Sequence, residues 1–373
     1  MKILSIFGTR PEAVKMAPII RLLEQTTDVD SRVCVTAQHR QMLDQVLELF
    51  QIQPDYDLDL MREDQTLAQI SASIFTNLDP ILASFQPDWV LVVGDTTTVI
   101  TTSLLTYFRR IKLGHVEAGL RTHNKWHPFP EEINRRIATV IADLHFAPTE
   151  WAKGNLLREG VEERNILVTG NSVIDALNFV VHKEEPQEIT SLTQRLGTRG
   201  LETSRLILVT AHRRENFGQP LENICHAIRE LATCEGVEVV YPVHLNPKVQ
   251  EPVNRLLKGV PHVTLLPPLD YLPMVHLMKH AKLILTDSGG LQEEAPSLGV
   301  PVLVLRETTE RPEGVEAGML RLVGTETDHI VREAKRLLDD PTSYAEMAKA
   351  VNPYGDGHAA ERIVEALLST EKL

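Results

Sequence analysis

The chain has 373 residues, 43% of them hydrophobic and 24% charged; this is more than one hydrophobic core usually serves, so two domains are expected. Its formal net charge of -13, with Lys and Arg scattered rather than clustered, speaks against nucleic acid as a partner. No window approaches the roughly 18 consecutive apolar residues of a membrane helix, and the opening MKILSIFGTRPEAVK has no leader pattern, so no membrane partner is expected.

Cys34, Cys225 and Cys234 form no metal-ligand spacing and cannot all pair, which points to a reducing, cytoplasmic compartment. Along the chain, short apolar runs rich in β-branched residues alternate with longer segments of helical period, the pattern of parallel sheet covered on both faces. Strands are predicted at Lys2 to Phe7, Arg32 to Thr36, Trp89 to Val93, Lys112 to Glu117, Leu144 to Ala147 and Asn165 to Thr169, closing a first domain over 1–170. Between them, Gln41 to Phe50 carries Met42, Leu43, Val46, Leu47 and Phe50 on one broad helical face. The charged, proline-containing stretch His182 to Glu188 places a hinge over 171–190.

A second domain, 191–358, repeats the alternation through Leu206 to Thr210, Val237 to Tyr241, Val263 to Leu266, Lys282 to Thr286, Val302 to Leu305 and Met319 to Val323. A helix is predicted over Asp328 to Leu338 and another over Ala359 to Leu368. The terminal segment 359–373 must bury its apolar stripe somewhere, and the first domain is the expected place. The fold class is α/β, two Rossmann-like domains in series.

In open parallel sheets ligands sit beyond the carboxyl ends of the strands. Here those ends are unusually polar, and they would line one crevice if the two sheets face each other. Strand one runs into Gly8-Thr9-Arg10-Pro11-Glu12 with Lys15 one turn on; it lacks both the GxGxxG spacing and the Walker lysine-serine pair, so neither a dinucleotide cofactor nor ATP is expected. Two cations at a helix start are electrostatically unfavourable unless an anion binds there; the alternative is a simple turn with solvated Arg10 and Lys15.

Ser288, Gly289 and Gly290 open a helix after a buried strand and could close backbone N–H groups around a diphosphate, with Glu294 one turn beyond, although an N-cap with a tight turn accounts for them equally well. Arg311 sits in a charged loop that could clamp a phosphate or simply be solvated. Asp95 and Glu117 end two strands, and Glu131, Glu132 and Arg135 open a helix after His127-Pro128-Phe129-Pro130. Glu131 and Arg135 share a face, so Arg135 can pair with the carboxylate or reach a substrate phosphate. Carboxylates gathered in a dry cleft push their pKa values apart and can supply both an acid and a base. His212, after a strand of the second domain, could exchange a proton with a phosphate or be an ordinary loop histidine. His115, His123, His127 and His145 form no zinc pattern, so no metal is expected.

Seven segments, FGTRPEAVKMAP, VVGDTTT, GHVEAGLRT, FPEEINRR, TAHRRENFG, LTDSGGLQEE and ETTERPEGVEAG, occur in that order. With them the chain resembles the non-hydrolysing UDP-N-acetylglucosamine 2-epimerases over essentially its whole length. The resemblance implies a GT-B fold, with the two Rossmann-like domains facing across a deep cleft, a homodimer, and a place in making precursors of cell-surface polysaccharide. It implies that Arg10, Lys15, Arg135, His212, Ser288, Gly289, Gly290, Glu294 and Arg311 hold the UDP moiety, and that Asp95, Glu117, Glu131 and His212 supply or support the chemistry. That chemistry is the interconversion of UDP-N-acetylglucosamine and UDP-N-acetylmannosamine: loss of the C2 proton with departure of UDP, formation of 2-acetamidoglucal, then re-addition and reprotonation on the other face. No NAD and no metal take part.

In some bacterial relatives a second UDP-N-acetylglucosamine activates the enzyme; Gln38, Gln41, Arg213 and His244 match that allosteric site, while Asp64 stands where such relatives carry an arginine. The rival readings are a hydrolysing epimerase, a GT-B glycosyltransferase and a sensor without turnover.

Overall fold

The computed structural model describes residues 1–36, 40–60, 62, 64–197 and 205–370. In the first half the described strands are β1 (Lys2–Phe7), β2 (Asp30–Val35), β3 (Tyr56–Asp57), β4 (Trp89–Val93), β5 (Lys112–Val116), β6 (Leu144–Ala147) and β7 (Ile166–Val168). They form one sheet in the order β3-β2-β1-β4-β5-β6-β7, every pair parallel. Ile3, Leu4, Ile6 and Phe7 are all fully buried, so residues of both parities are covered and both faces of the sheet carry helices. On one face Leu4, Ile6, Val90 and Val92 pack with Ile74, Leu78 and Leu82 of helix Leu67–Phe85.

The second half builds β8 (Arg205–Thr210), β9 (Val237–Pro242), β10 (Val263–Leu266), β11 (Leu283–Thr286), β12 (Val302–Val304) and β13 (Leu320–Leu322), ordered β10-β9-β8-β11-β12-β13 and again parallel. Its core joins Ile207, Val209, Val239 and Leu285 to Ile224 and Ile228 of helix Gln219–Leu231 and to Ile330 and Leu337 of helix Thr327–Asp339.

In both sheets the chain winds outward to one side, returns to the middle and winds outward to the other. The reversal lies between β1 and β4 in the first sheet and between β8 and β11 in the second. Loops leaving adjacent strands there diverge to opposite faces, which opens a crevice at their carboxyl ends.

Local chemistry explains the element ends. Helix Arg10–Gln25 starts where Thr9 and Glu12 form a reciprocal capping box, with Pro11 in the first turn. The strand expected to run to Glu117 stops at Val116, because Glu117 adopts a left-handed φ of 61° that cannot continue a ladder. The two-residue edge strand β3 was not expected; two residues carry no period for a sequence pattern to show.

The chain clusters into two compact units, Met1–Ala176 with the segment from Tyr354 onward, and Leu177–Pro353. The division falls inside helix Ser172–Val181, within the stretch read as a hinge, and helix Gln187–Gly197 lies wholly in the second unit. Helix Ala359–Ser369 packs on helix Arg10–Gln25 of its own unit. Its start is held by the Asp175 carboxylate, which accepts from the N–H groups of Ala359 at 3.2 Å and Ala360 at 2.8 Å, and Asn171 N–H donates to the Tyr354 carbonyl at 2.6 Å. No helix of the described residues is long and apolar enough to cross a membrane.

Candidate functional site

At the switch point of the first sheet, a cavity of about 320 Å³ is lined by residues that include Glu12, Lys15, Asp95, Thr96 and Glu117. Lys15 reaches in from helix Arg10–Gln25, and its Nζ lies 2.5 and 2.6 Å from the two oxygens of Glu117. The pair is shielded, with side chains 17% and 5% exposed. Asn171 Nδ2 donates to Glu117 Oε1 at 3.0 Å. A non-glycine residue in the left-handed region costs on the order of 1 kcal/mol or more, and here that strain aims a carboxylate into the cavity.

Asp95 follows Gly94, whose φ of 77° lets β4 turn sharply. Its carboxylate accepts from Arg135 at 2.5 Å and its carbonyl from Asn134 Nδ2 at 2.8 Å, so helix Glu131–Ile141 grips the turn twice. Arg135 also lies 3.4 Å from Glu132, a buried carboxylate that accepts from the N–H groups of Thr122 and His123. Arg135 thus meets Asp95 and Glu132 where a pairing with Glu131 was one expectation, and Glu131 itself opens the helix. His115 Nε2 lies 2.8 Å from the Gly94 carbonyl, and burial pushes its pKa down to about 4, so the neutral ring donates there and steadies the Asp95 turn.

Glu12 lies under this floor. One oxygen accepts from Gly8 N and Thr9 N, each at 2.8 Å, and the other from Thr96 Oγ1 at 2.5 Å, tying the turn after β1 to the turn after β4. Burial raises its pKa against the lowering effect of these bonds. Arg10 is the first residue of its helix, half-buried beside this turn.

In the second unit, Ser288 is the N-cap of helix Gly289–Ser297 and its hydroxyl makes no capping bond. A Cβ on Gly289 would meet the Arg311 guanidinium at 2.7 Å, so the glycine admits the arginine. Arg311 Nε donates to Glu293 at 2.5 Å, and Tyr271 Oη donates to Glu294 at 2.8 Å. His212 follows β8, with its backbone N–H on Asp287 and its ring stacked on His244 at 5.3 Å. Burial lowers its pKa, with Asp287 acting in the opposite direction. Arg213 lies 4.0 Å from Glu310. Gln38 lies outside the described residues, as does the side chain of Gln41, and Asp64 occupies a turn with a φ of 57°. Among the described residues no group of three or more His, Cys, Asp or Glu could hold a metal ion.

The family described as UDP-N-acetylglucosamine 2-epimerase matches residues 21–368 of this chain. The chain belongs to that family. It is 57% identical over 371 residues to the UDP-N-acetylglucosamine 2-epimerase of Yersinia pestis, covering 98% of each chain. It is 55% identical to the enzyme of that name from Escherichia coli K12, again over 98% of each. Among solved structures, UDP-GlcNAc 2-epimerase from Neisseria meningitidis bound to UDP-GlcNAc matches with a TM-score of 0.90 at 50% identity, over 99% of this chain and 100% of that one. The matches in structure cover both units, whose Rossmann-like sheets make up the two-domain, GT-B-like architecture of these epimerases.

Several residues of this epimerase that shape the site were not singled out from the sequence: Glu12, Thr96, Asn134, Asn171, Asp287 and Glu293. Each acts across loops that only the strand order makes neighbours. Glu310 and Arg306 belong with them. Burial would raise the Glu310 pKa, but hydrogen bonds and charge from Arg306, with Arg213 and Arg311 nearby, hold it down to about 2. A folded value below the ordinary 4.5 means stability that is present above pH 4.5 and lost as pH falls toward 2. The gap corresponds to roughly 3 kcal/mol by linkage. Glu310→Gln is therefore expected to unfold at lower urea than the parent at pH 7, with the difference shrinking as the pH falls through that window; a constant difference would show the pairing is not what stabilises.

Proposed function

We propose that the carboxylates Asp95, Glu117 and Glu131 move the C2 proton of a nucleotide-sugar, and that Arg10, Lys15, Arg135, His212, Ser288, Gly289, Gly290, Glu294 and Arg311 hold its UDP moiety, with His212 also serving the leaving diphosphate. The reaction is the reversible C2 epimerisation of UDP-N-acetylglucosamine to UDP-N-acetylmannosamine, by elimination of UDP to 2-acetamidoglucal and re-addition. The observation that supports these roles most strongly is the buried Lys15–Glu117 pair beside Asp95 at a switch-point cavity.

A C2 proton beside an N-acetyl group is only weakly acidic. Its removal is therefore coupled to C1–O cleavage, in which the bonding electrons leave with the diphosphate and those of the C2–H bond form the C1–C2 double bond. Cations placed before the charge develops lower that barrier without reorganising. Glu117 and Lys15 divide this work: the carboxylate is held by Lys15 and Asn171 in a single orientation, which limits the rotamers from which it can take a proton. Re-addition reverses each step, with the proton delivered to the opposite face of C2. Arg135 holds the Asp95 carboxylate in the lining of the same cavity as Glu117, and that placement supports its inclusion in the set.

The three cysteines, all free, support a cytoplasmic enzyme, and the family resemblance supports a homodimer, to be read by light scattering. Arg213 and His244 are proposed to belong to a second, activating UDP-N-acetylglucosamine site, with Asp64 reversing a charge there. The deciding experiment is proton NMR of the enzyme with UDP-N-acetylglucosamine in heavy water. UDP-N-acetylmannosamine carrying deuterium at C2 is expected. Free N-acetylmannosamine with UDP would place the chain in the hydrolysing class, and an unchanged spectrum despite UDP binding would sink the epimerase reading.

A further inference from the structure

The switch point of the second sheet holds a carboxylate to which the reading above gives no part. Asp287, at the end of β11, is fully buried. Its Oδ2 accepts three bonds from the turn after β8: from His212 N–H at 2.8 Å, Arg213 N–H at 2.8 Å and Asn216 Nδ2 at 2.9 Å. Three donors on one oxygen fix the plane of the carboxylate and with it the direction of the other oxygen. That oxygen, Oδ1, is buried with no hydrogen-bond partner among the described residues, and it lies 3.6 Å from Nδ1 of His212.

A buried carboxylate oxygen without a donor is costly, so its retention calls for a donor in the working state. The His212 ring is also constrained from its face, stacked on His244 with 11° between the planes. The charged and titratable groups acting on it are Asp287, His244 and Arg213. Stacking and backbone bonding together leave the Nδ1 edge turned toward Asp287.

We propose that Asp287 is a positioning residue for His212: it takes the Nδ1–H, fixes that tautomer and presents Nε2 to the diphosphate of the nucleotide-sugar. The inference rests on the reading of His212 as a diphosphate partner and deepens it. The separation of 3.6 Å exceeds a hydrogen bond, and such contacts tighten when the ligand closes the site. With Nδ1 committed, a single nitrogen serves both directions of the reaction. The step starts from the imidazolium beside the anionic diphosphate, with one proton on each nitrogen: as the C1–O bond breaks, its electron pair goes to a phosphate oxygen, which takes the Nε2 proton and leaves the neutral Nδ1–H ring; on re-addition the C1–O bond forms and the proton returns to Nε2. The Asp287 carboxylate, 3.6 Å from Nδ1, is placed to offset the imidazolium charge.

Asp287→Asn separates this role from a structural one. The Asn carbonyl oxygen can accept the same three donors, so the turn is kept, while its amide places N–H where Oδ1 was and favours the opposite tautomer. The full-length protein labelled with 15N-histidine and saturated with UDP is observed by two-bond proton-nitrogen correlation, with the His212 signals assigned by their loss in His212→Asn. The parent is expected to show a protonated, pyrrole-type Nδ1, and Asp287→Asn to show the proton moved to Nε2, with kcat lowered on the order of 10²–10⁴-fold and KM changed only a few-fold.

A neutral His212 protonated at Nε2 in the UDP-bound parent overturns the proposal, and that measurement needs no variant to fold. So does a kcat for Asp287→Asn within a few-fold of the parent. If His212→Asn itself keeps the parental kcat, the reading of His212 fails instead, whichever nitrogen carries the proton.

Discussion

Glu117→Gln is expected to lower kcat by roughly 10³-fold or more while leaving the protein folded, because it removes a carboxylate proposed to move the C2 proton, and the share of such a group is on the order of 10²–10⁴. The amide can still accept from Asn171, which meets Glu117 Oε1 at 3.0 Å, so the side chain keeps its place. What is lost is the negative charge, and with it both the proposed proton-transfer group and the counter-ion of Lys15, which sits 2.5 and 2.6 Å from the two oxygens. The readout is deuterium incorporation at C2 from heavy water, followed by NMR, beside thermal unfolding to confirm a folded chain. A double variant resolves the two roles. If Glu117 served only to hold Lys15, then Lys15→Met with Glu117→Gln would be no slower than Lys15→Met alone, and the proton-transfer role would fall. A further loss in the double variant is the expected result.

Gly119→Ala should have the largest effect on stability, and it acts on the same loop. Gly119 has a φ of 92°, and a Cβ there would lie 2.4 Å from the Ala152 carbonyl oxygen and 3.0 Å from Leu156 Cγ. Neither obstacle can retreat. Ala152 belongs to helix Glu150–Arg158, whose start is capped by Thr149, and Asn155 of the same helix donates to the Gly119 carbonyl at 2.9 Å. Backbone strain and overpacking each cost about 1–3 kcal/mol, so a combined loss of about 4 kcal/mol is expected. For a unit of this size that corresponds to a fall in melting temperature on the order of 10 °C. Glu117 lies two residues upstream, so turnover should fall as well. A variant melting close to the parent would show that helix and loop part easily, and the rigid placement argued for Glu117 would lose its footing.

Much of the fold was legible in the sequence for a local reason. A buried parallel strand needs only a short β-branched run, and WVLVV at Trp89–Val93 or LILT at Leu283–Thr286 announces itself regardless of its neighbours. The start of helix Arg10–Gln25 is equally local, since Thr9, Pro11 and Glu12 all act within one turn. The strand ends were less legible. That β5 stops at Val116 depends on Glu117 taking a left-handed conformation, which glutamate does not prefer and which its contacts with Lys15 and Asn171 help to hold.

The candidate site divides in the same way. Asp95, Glu117, His212 and Ser288 could be picked out because each ends a predicted strand, where open parallel sheets bind ligands. Arg135 was picked out by its place on a helix face, but its partners were not: a spacing of four residues pointed to Glu131, whereas Asp95 and Glu132 are the contacts seen. Helical spacing reports only neighbours on one helix, and Asp95 arrives from another element.

The sequence by itself determined the alternation of strands and helices, the polar character of the strand ends and the family to which the chain belongs, because these follow from residues acting within a turn or a short run. The tertiary structure alone decided that β1 adjoins β4 and β8 adjoins β11, and so which loops meet. Glu12 reaching Thr96 and Asp287 gathering the His212 turn span 84 and 75 residues. Contacts of that separation depend on strand order, which no local period encodes, and they are what turn a row of polar loop ends into a site.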